Sequence, residues 1–565
     1  MTKSPKLFAL TLLATAAFAQ HPKIAPGLET LDQNSVVDVI VQYNHIPSEA
    51  NHQRVLAMGG ALRRQLDVIN GSHYAMSVRA LRNLAEEPDV VHISPNRQLK
   101  AFVDVAENAV NANIAYSYGW NGTGIGIAVI DSGISNDPDL KNAQGNMRVV
   151  YQQDFVGGGT DDHYGHGQVV AGIAAGDGAS STGPQALLTF RGVAPSANLI
   201  NLRVLDQNGE GTDSTVIAAI QQAINLKSKY NIRVINLSLG RPVFESYAID
   251  PLCQAVEQAW KAGIVVVVAA GNQGRNNSLG TEGYGTIQAP GNDPCVITVG
   301  AMNTMDQPNR SDDVIASYSS KGPTLIDHIV KPDIVAPGNR VVSDLANTAQ
   351  LQNKYPLNAV PLTSYENTGS GALSNEYYIM SGTSMATPMV SGAAALLLQQ
   401  NPYLTPDQVK ARLMLTATKT FPRSSTATDL FTGTVYTSYY DIFTIGAGYM
   451  DVWAALNNGT VAALSAISPT ASYNASTGQV YVVNTPSAVW DSSAVWGSSA
   501  VWGSSAIWGS SVWLSGSSAV WGSSAVWGSS AVWGSSAVWG SSAVWGSSTQ
   551  DAAEATSVAI NGDKQ

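Results

Sequence analysis

Residues 381–388 read Ser-Gly-Thr-Ser-Met-Ala-Thr-Pro and give the strongest indication of fold and function in the sequence. A glycine-bearing turn presents Ser384 at the start of an apolar stretch, which predicts a helix toward Leu398. Pro388 is compatible with this helix because we place it in the first turn. The N-terminus of such a helix offers free N–H groups and a positive dipole end to a developing oxyanion. Considered alone, Ser384 would more often be a helix N-cap.

A second informative stretch, residues 127–133, reads Ile-Ala-Val-Ile-Asp-Ser-Gly. It predicts a buried strand that ends in the Asp131 carboxylate and is followed by a turn. The carboxyl ends of the strands form the functional site in parallel α/β sheets. A single aspartate at such a place is more often the cap of a helix or turn. Asp131 therefore becomes informative only together with other groups.

The third stretch is Gly165-His166-Gly167, and the small residues after it up to Gly176 predict a tightly packed helix. This arrangement would hold the His166 ring on the first helical turn. A lone histidine is usually structural, or it is half of a metal site. A metal site needs further ligands, yet only His163 lies nearby, with no cysteine and no His-x-x-x-His spacing.

Asp131, His166 and Ser384 follow one another in the order of the subtilisin catalytic triad. Residues 34–456 thus resemble the subtilisin-like serine proteases (subtilases), and the Gly-Thr-Ser-Met-Ala-x-Pro signature is highly specific to that family. The resemblance implies that Ser384 is the nucleophile and His166 the general base. It also implies that Asp131 orients and stabilises the imidazolium.

The resemblance further implies which groups would contact a polypeptide substrate. Asn272 resembles the oxyanion-hole amide of the family. An extended peptide would add as a strand between two segments of this chain, through main-chain hydrogen bonds. These segments consist of Ser238, Leu239 and Gly240, which would line the S1 pocket, and of Gly209, Glu210 and Gly211 opposite. Gln288 is a candidate for the base of the S1 pocket, and the sequence leaves the P1 preference open.

Three residues near these groups depart from the family pattern. Gln168 and Val169 replace a threonine and a histidine, and Met389 replaces a histidine. None of them belongs to the triad, so we expect local repacking with activity retained. Catalysis is expected to need no cofactor, and no metal ligand is assigned. Asp139 matches a position that binds calcium in many family members, but the usual asparagine-rich loop is not visible between residues 177 and 193. Structural calcium is therefore possible without a clear loop motif.

The fold class follows from the order of apolar segments. Between Ile125 and Leu456, apolar strands alternate with helical stretches, which predicts an α/β fold with a mainly parallel sheet and helices on both faces. The resemblance implies the three-layer subtilisin-like version of this fold. Cys253 and Cys295 would lie at opposite edges of the sheet, so we expect two unpaired, buried thiols.

Composition excludes several classes of protein. The chain has 565 residues, of which 44% are hydrophobic, so it is not wholly disordered. A net charge of −11 without a Lys/Arg block argues against a nucleic-acid partner. No segment outside the N-terminal leader approaches the roughly 18 apolar residues of a membrane span, so none is expected.

The chain order predicts a secreted precursor. Lys3 and Lys6 precede an apolar run that ends in Ala17-Phe18-Ala19, so we expect a signal peptide over residues 1–19 and an extracellular or cell-surface location. Residues 20–102 resemble an inhibitor-like prosegment. It would be cut by self-cleavage near Phe102-Val103 and then stay bound as a transient inhibitor until a second cut within it. The catalytic domain is expected over residues 103–457, a linker over 458–486, repeats over 487–548 and a disordered tail over 549–565.

The repeats have the unit Ser-Ser-Ala-Val-Trp-Gly, which would place every tryptophan on one face of an extended chain. A β-solenoid or sheet, a disordered linker and a surface-binding module all fit this pattern, and the partner of the tail is unknown. Because the core is expected to be complete by Leu456, removal of residues 487–565 is predicted to leave peptide hydrolysis nearly unchanged. The sequence thus favours a secreted serine endopeptidase. The alternative is a surface-binding or structural protein with a secondary or inactive protease domain.

Overall fold

The fold is described by a computed structural model of the chain. It describes residues 21–25, 28, 31–95, 106–277, 281–346, 349–367, 372–429, 432–474, 479–483 and 557–563. The chain forms two compact units, Met1–Lys100 and Ala101–Gln565. The predicted signal peptide, the Phe102-Val103 cleavage site and the repeats at 487–548 lie outside the described residues.

The N-terminal unit is an antiparallel sheet with two helices. Its elements are β1 (Val36–Tyr43), α1 (Glu49–Ala57), β2 (Ala61–Leu66), β3 (Gly71–Ser77), α2 (Val78–Ala85) and β4 (Val90–Pro95). The strands lie in the order β2-β3-β1-β4. Val39, Val41 and Tyr43 are buried and alternate with less buried neighbours, as expected for a strand with one face on a core.

The sequence pattern predicts one interrupted helix over residues 49–67, and this is wrong beyond Ala57. Gly59 adopts a left-handed φ of +81°, and a Cβ on Gly60 would lie 2.5 Å from the Val55 side chain. The chain therefore leaves the helix at these two glycines. The following residues pair with β3 as an exposed edge strand, where tertiary pairing overrides the local helical spacing.

The second unit contains the remaining elements. Its strands are β5 (Gly126–Asp131), β6 (Val149–Asp154), β7 (Asn198–Arg203), β8 (Ile232–Leu237), β9 (Val265–Ala269), β10 (Ile297–Asn303), β11 (Val314–Ile315), β12 (Ile334–Pro337), β13 (Val341–Asp344), β14 (Ala359–Pro361), β15 (Leu373–Met380), β16 (Ser424–Thr428), β17 (Val435–Tyr439), β18 (Thr470–Asn474) and β19 (Gln479–Val483). Its helices are α3 (Ala106–Ala109), α4 (Ala112–Ser117), α5 (His166–Ala175), α6 (Asp213–Tyr230), α7 (Pro251–Lys261), α8 (Gln350–Lys354), α9 (Thr383–Gln400), α10 (Pro406–Thr416), α11 (Ile442–Ile445) and α12 (Val452–Leu456).

The central sheet of this unit is mainly parallel, as the alternation of strands and helices predicts. Its order is β11-β10-β9-β8-β5-β7-β6, with β12 paired to β10. Only the short β11 runs antiparallel to its neighbour among the strands of this sheet. Helices α5 and α9 pack against each other, and α6 and α7 form a second pair. The unit therefore has the three-layer α/β fold.

The order of strands reverses on the two sides of β5. The chain proceeds from β5 to β6 and β7 on one side, and to β8, β9 and β10 on the other. In open α/β sheets, a site forms beyond the carboxyl ends of the strands at such a reversal. Strands β5, β8 and β9 are consecutive and parallel across this point, so their carboxyl ends lie side by side.

Two expectations about the C-terminal part need correction. The expected linker at 458–486 includes the antiparallel hairpin of β18 and β19, whose Ala471 and Val480 pack with Tyr284 and Val330. The tail expected to be disordered includes residues 557–563, which contain a short helical stretch and a fully buried Val558. In both places a few apolar side chains find a partner surface that the local composition does not reveal.

Two smaller expectations can be compared with the fold. Cys253 and Cys295 are both free thiols, as predicted, although only Cys253 is fully buried. Within the described residues, no helix has the combination of length and apolar character that crossing a membrane requires.

Candidate active site

Asp131 and His166 form the first pair of the site. Asp131 is the last residue of β5, and His166 is the first residue of α5. The His166 Nδ1 and Asp131 Oδ1 atoms are 2.7 Å apart, and the Asp131 side chain is 1% exposed. A Cβ on Gly167 would lie 2.3 Å from the Gly133 carbonyl oxygen, so only glycine allows this approach of helix to turn. Gly133 after Asp131 and Gly167 after His166 thus allow the turn and the helix to approach closely enough for the pair to form.

Ser384 lies on the second residue of α9 and is coupled to the end of β8. Its hydroxyl donates to the Ser238 carbonyl oxygen at 3.1 Å, and the Ser238 hydroxyl donates back to the Ser384 carbonyl oxygen at 2.8 Å. Because β8 runs beside β5, this exchange brings Ser384 to the sheet edge where Asp131 ends. In this conformation the Ser384 hydroxyl is bonded to Ser238, and among the described residues no hydrogen bond joins it to His166.

Pro388 has a different place from the one that the sequence suggests. It lies inside α9, past the first turn. Without an N–H group it leaves the carbonyl oxygen of residue i−4, which is Ser384, without its helical donor. The Ser238 hydroxyl occupies that free acceptor. The proline therefore links the backbone of Ser384 to the neighbouring strand end.

Asn272 follows β9 and faces the same turn. The Thr383 N–H group and hydroxyl donate to Asn272 Oδ1 at 2.9 and 3.1 Å. The Nδ2 group consequently points away from these donors, and it lies 3.2 Å from the position of a Cβ on Gly382. This nitrogen has no hydrogen-bond partner among the described residues. The amide thus has a fixed orientation and a free donor beside Ser384, as an oxyanion site requires.

The two predicted substrate-binding segments differ in form. Leu239 and Gly240 continue from β8, and within the described part of the chain their peptide groups make no hydrogen bonds. Gly209, Glu210 and Gly211 belong to a turn in which the Asp206 carboxylate accepts from the Glu210 N–H group. They are therefore not an extended strand in this structure.

Two further contacts surround these segments. A Cβ on Gly209 would lie 2.7 Å from the Tyr164 ring, which places that turn on the His166 side of the site. The Gln288 side chain lies between Gly240 and Gly271, because a Cβ on either glycine would approach it within 3.1 Å. Gln288 thus lies between the substrate segment and the Asn272 loop, where a pocket beside Ser384 would have its floor.

The pKa of His166 is shifted by opposing effects. Burial lowers it, but the charge and hydrogen bond of Asp131, together with the charge of Asp162, raise it above the usual 6.5. Sequence reasoning missed Asp162, which is buried and accepts from the Gly165 and Gln168 N–H groups. Its only sequence signal is its position just before the Gly165-His166-Gly167 stretch. Asp162 stabilises the turn that presents the imidazole and contributes to its field.

The three residues that depart from the family pattern are all buried. The Gln168 side chain is fully buried, and its Oε1 accepts from the Ser135 N–H group at 2.8 Å, while its Nε2 has no partner among the described residues. Val169 and Met389 are buried in the core. None of these three side chains displaces Asp131, His166 or Ser384 from the sheet edge.

Three buried aspartates form a separate cluster. Asp137, Asp139 and Asp344 each have a carboxylate oxygen within 4.8 Å of the others. Asp139 accepts from the Tyr377 hydroxyl and the Ser180 N–H group, while Asp344 Oδ2 is buried and has no partner among the described residues. Burial and the neighbouring carboxylates raise the pKa of Asp137 to about 7 and that of Asp344 well above its usual value. The cluster therefore favours a shared proton or a cation.

Known proteins resemble this chain over much of its length. Residues 122–435 match the Subtilase family. Serine protease AprX of Bacillus subtilis is 35% identical over 406 residues, which cover 68% of this chain and 83% of the relative. Subtilisin E of Bacillus subtilis is 32% identical over 416 residues, covering 73% and 92%. The thermostable alkaline protease of Halalkalibacterium halodurans is 31% identical over 348 residues, covering 61% and 77%.

The charge around His166 predicts the acid side of the pH profile. Only the neutral imidazole can accept a proton, so kcat/KM for a peptide should rise through a pKa above 6.5. Asp162→Asn removes a negative charge that favours the imidazolium, so the rise should move to lower pH. Asp161→Asn, at the exposed neighbouring residue, is the control and should leave the profile in place. An Asp162→Asn profile that is unchanged or moves to higher pH would contradict this role.

Proposed function

The chain belongs to the subtilase family and is a serine endopeptidase, and we propose that Ser384, His166 and Asp131 form the triad with which it hydrolyses peptide bonds. The observation that carries this proposal is the 2.7 Å hydrogen bond between His166 and Asp131 at the sheet edge that also holds Ser384. A buried carboxylate bound to Nδ1 leaves Nε2 of the ring as the proton acceptor.

The proposed reaction has two stages. Ser384 Oγ attacks the scissile carbonyl carbon while its proton moves to His166 Nε2, and Asp131 stabilises the resulting imidazolium. His166 then donates this proton to the leaving amine, and an acyl-enzyme remains on Ser384. Water, deprotonated by the same imidazole, hydrolyses the ester and restores the hydroxyl. Asn272 Nδ2 donates to the oxyanion in both stages, and its orientation is fixed in advance by Thr383.

Substrate binding is proposed to use main-chain groups. The free peptide groups of Leu239 and Gly240 can pair with an extended polypeptide, which would add as a strand beyond β8. The turn that includes Glu210 would lie on the other side and would have to become extended to pair as well. No cofactor enters this reaction. The comparisons give no support to the alternative of a surface-binding protein without protease activity.

We also propose that the protein is made as a secreted precursor. The leader at residues 1–19 has the charged, apolar and small-residue order of an export signal. The N-terminal unit is a small, separate α+β body, as an inhibitor-like prosegment would be. It would stay bound as a transient inhibitor after cleavage near Phe102-Val103.

The aspartate cluster is proposed to bind one calcium ion with a structural role. Asp137, Asp139 and Asp344 supply the oxygen ligands that calcium prefers, and the unpartnered Asp344 Oδ2 is a buried acceptor available to a cation. A bound ion would neutralise carboxylates that otherwise repel one another. It would stabilise the fold and take no part in the chemical steps.

Loss of any triad group should remove most turnover without unfolding the protein. Ser384→Ala, His166→Ala and Asp131→Ala should each lower kcat on a peptide by about 10³-fold or more, and double variants should lose little beyond the singles because the three groups act as one unit. Wild-type protein should react with a fluorophosphonate, and Ser384→Ala should not. Wild-type casein hydrolysis by Ser384→Ala, with the melting temperature unchanged, would show the assignment to be wrong.

Self-processing should depend on Ser384. The Ser384→Ala variant should accumulate as a precursor that keeps the N-terminal unit, whereas the wild type should yield a mature N-terminus at or near Val103. N-terminal sequencing of both proteins makes the comparison. Cleavage of the variant at Val103 would mean that another protease does the processing. A mature wild-type end several residues away would correct only the site.

Chelation should reveal the calcium ion. EDTA should lower the melting temperature of the mature wild type by several degrees, and added Ca²⁺ should restore it. Asp344→Asn should abolish this response, while Asp161→Asn should keep it. If EDTA leaves the melting temperature unchanged and Asp344→Asn raises it, the cluster shares protons and binds no cation.

A further inference from the structure

The last described residues of the chain are packed into the second unit. Val558 is fully buried and Ile560 is 8% exposed, and both belong to the main hydrophobic core. The expectation that the core is complete by Leu456 is therefore wrong. Residues 557–563, which we call the C-terminal clasp, complete a core whose other buried members end at Leu456, before the repeats.

The clasp bonds directly to the turn that carries the nucleophile. The Ser381 N–H group donates to the Ala559 carbonyl oxygen at 2.9 Å, and the Asn358 side chain donates to the Ile560 carbonyl oxygen at 2.6 Å. Ser381 and Gly382 form the turn before Ser384. The backbone N–H group of Ser381, in this turn, is thus hydrogen-bonded to the clasp.

Asp563 joins the clasp to the loop that carries Asn272. Its carboxylate accepts from Arg275 Nη2, from the Ser317 hydroxyl and from the Ser317 N–H group, each at 2.6 Å. The Arg275 and Asp563 side chains are only 6% and 3% exposed. Arg275 lies three residues after Asn272, so this buried ion pair fixes the end of the oxyanion loop.

The contacts around residues 562 and 563 restrict which residues fit at these positions. Asn339 pairs with the Asp563 backbone in both directions, accepting from its N–H group at 2.8 Å and donating to its carbonyl oxygen at 3.1 Å. Gly562 has a φ of +58°, and a Cβ there would lie 2.3 Å from Asn339 Oδ1 and 2.4 Å from Ser381 Oγ. A larger residue at 562 would therefore collide with both neighbours.

From these contacts we propose that the C-terminal clasp is a positioning element of the active site. It holds the turn before Ser384 through Ser381, and the loop after Asn272 through Arg275, so that nucleophile and oxyanion donor keep their relative geometry. This inference rests on the proposed roles of Ser384 and Asn272. It also implies that the repeat region is attached to the second unit at both of its ends, near residues 483 and 557.

A truncation with complementation in trans tests the proposal. The chain ending at residue 556 keeps the repeats and lacks only residues 557–565. Its kcat on a soluble peptide should fall at least tenfold, with KM changed less than about twofold, because the substrate-binding segments are intact. A synthetic peptide of residues 557–563 should restore kcat in a saturable manner. The same peptide with Asp563→Asn or Gly562→Ala should fail.

Point variants keep the test decisive if the truncated chain does not fold. Asp563→Asn in the full chain preserves shape and removes the charge, and it should lower kcat and the rate of fluorophosphonate labelling together. Asn561→Ala is the matched control within the clasp, since its side chain bonds only to Ser557 among the described residues. It should keep wild-type kcat.

Wild-type kcat in the truncated chain or in Asp563→Asn, measured well below a lowered melting temperature, would mean that the clasp contributes stability alone and would overturn the proposal. Failure of the proposed function itself looks different. In that case the wild-type enzyme would neither hydrolyse peptide nor react with the fluorophosphonate, whatever the state of the clasp.

Discussion

The parallel pairing of β5 with β8, and of β8 with β9, is the constraint on which the site depends. Parallel neighbours end at the same edge, so Asp131, Ser238 and Asn272 emerge side by side although they are far apart in sequence. His166 and Ser384 reach that edge from the first turns of α5 and α9. Loss of register between any two of these strands would separate Asp131, Ser384 and Asn272 from one another.

Further hydrogen bonds and close contacts fix the positions of the side chains at this shared edge. Pro388 frees a carbonyl group that Ser238 then binds, and Thr383 uses both its N–H group and its hydroxyl to orient Asn272. Gly167 permits the contact that sets the His166 ring against β5. Pro388 and Gly167 are local irregularities, a missing donor and a missing Cβ, which would weaken an ordinary helix. At this edge each one is compensated by a specific partner.

The sequence predicts those parts of the structure that local patterns encode. Apolar strands are sufficient to predict the α/β fold, and the three motif frames are sufficient to select Asp131, His166 and Ser384 as candidate residues. The family resemblance adds Asn272 to these candidates. The sequence does not reveal Asp162, because an aspartate shortly before a glycine turn is too common a pattern to indicate a role. It does not reveal the clasp either, because its partners are distant along the chain. Helical spacing after Gly60 is misleading for a related reason, since pairing with β3 outweighs local preference. The turn at Gly209 is not predicted either, because it depends on a hydrogen bond to the Asp206 carboxylate that a strand pattern does not indicate.

The proposed role of the clasp makes the site depend on residues that are far apart along the chain. The site is assembled from segments that begin at β5 and end at Asp563, so its contacts span almost the whole second unit. Non-local contacts form late because the closure entropy of long loops opposes them. On the proposed role of the clasp, residues 557–563 complete the geometry around the first residues of α9 after the sheet edge has formed. A chain without residues 557–563 would then hold a folded sheet edge with a loosely positioned Ser384.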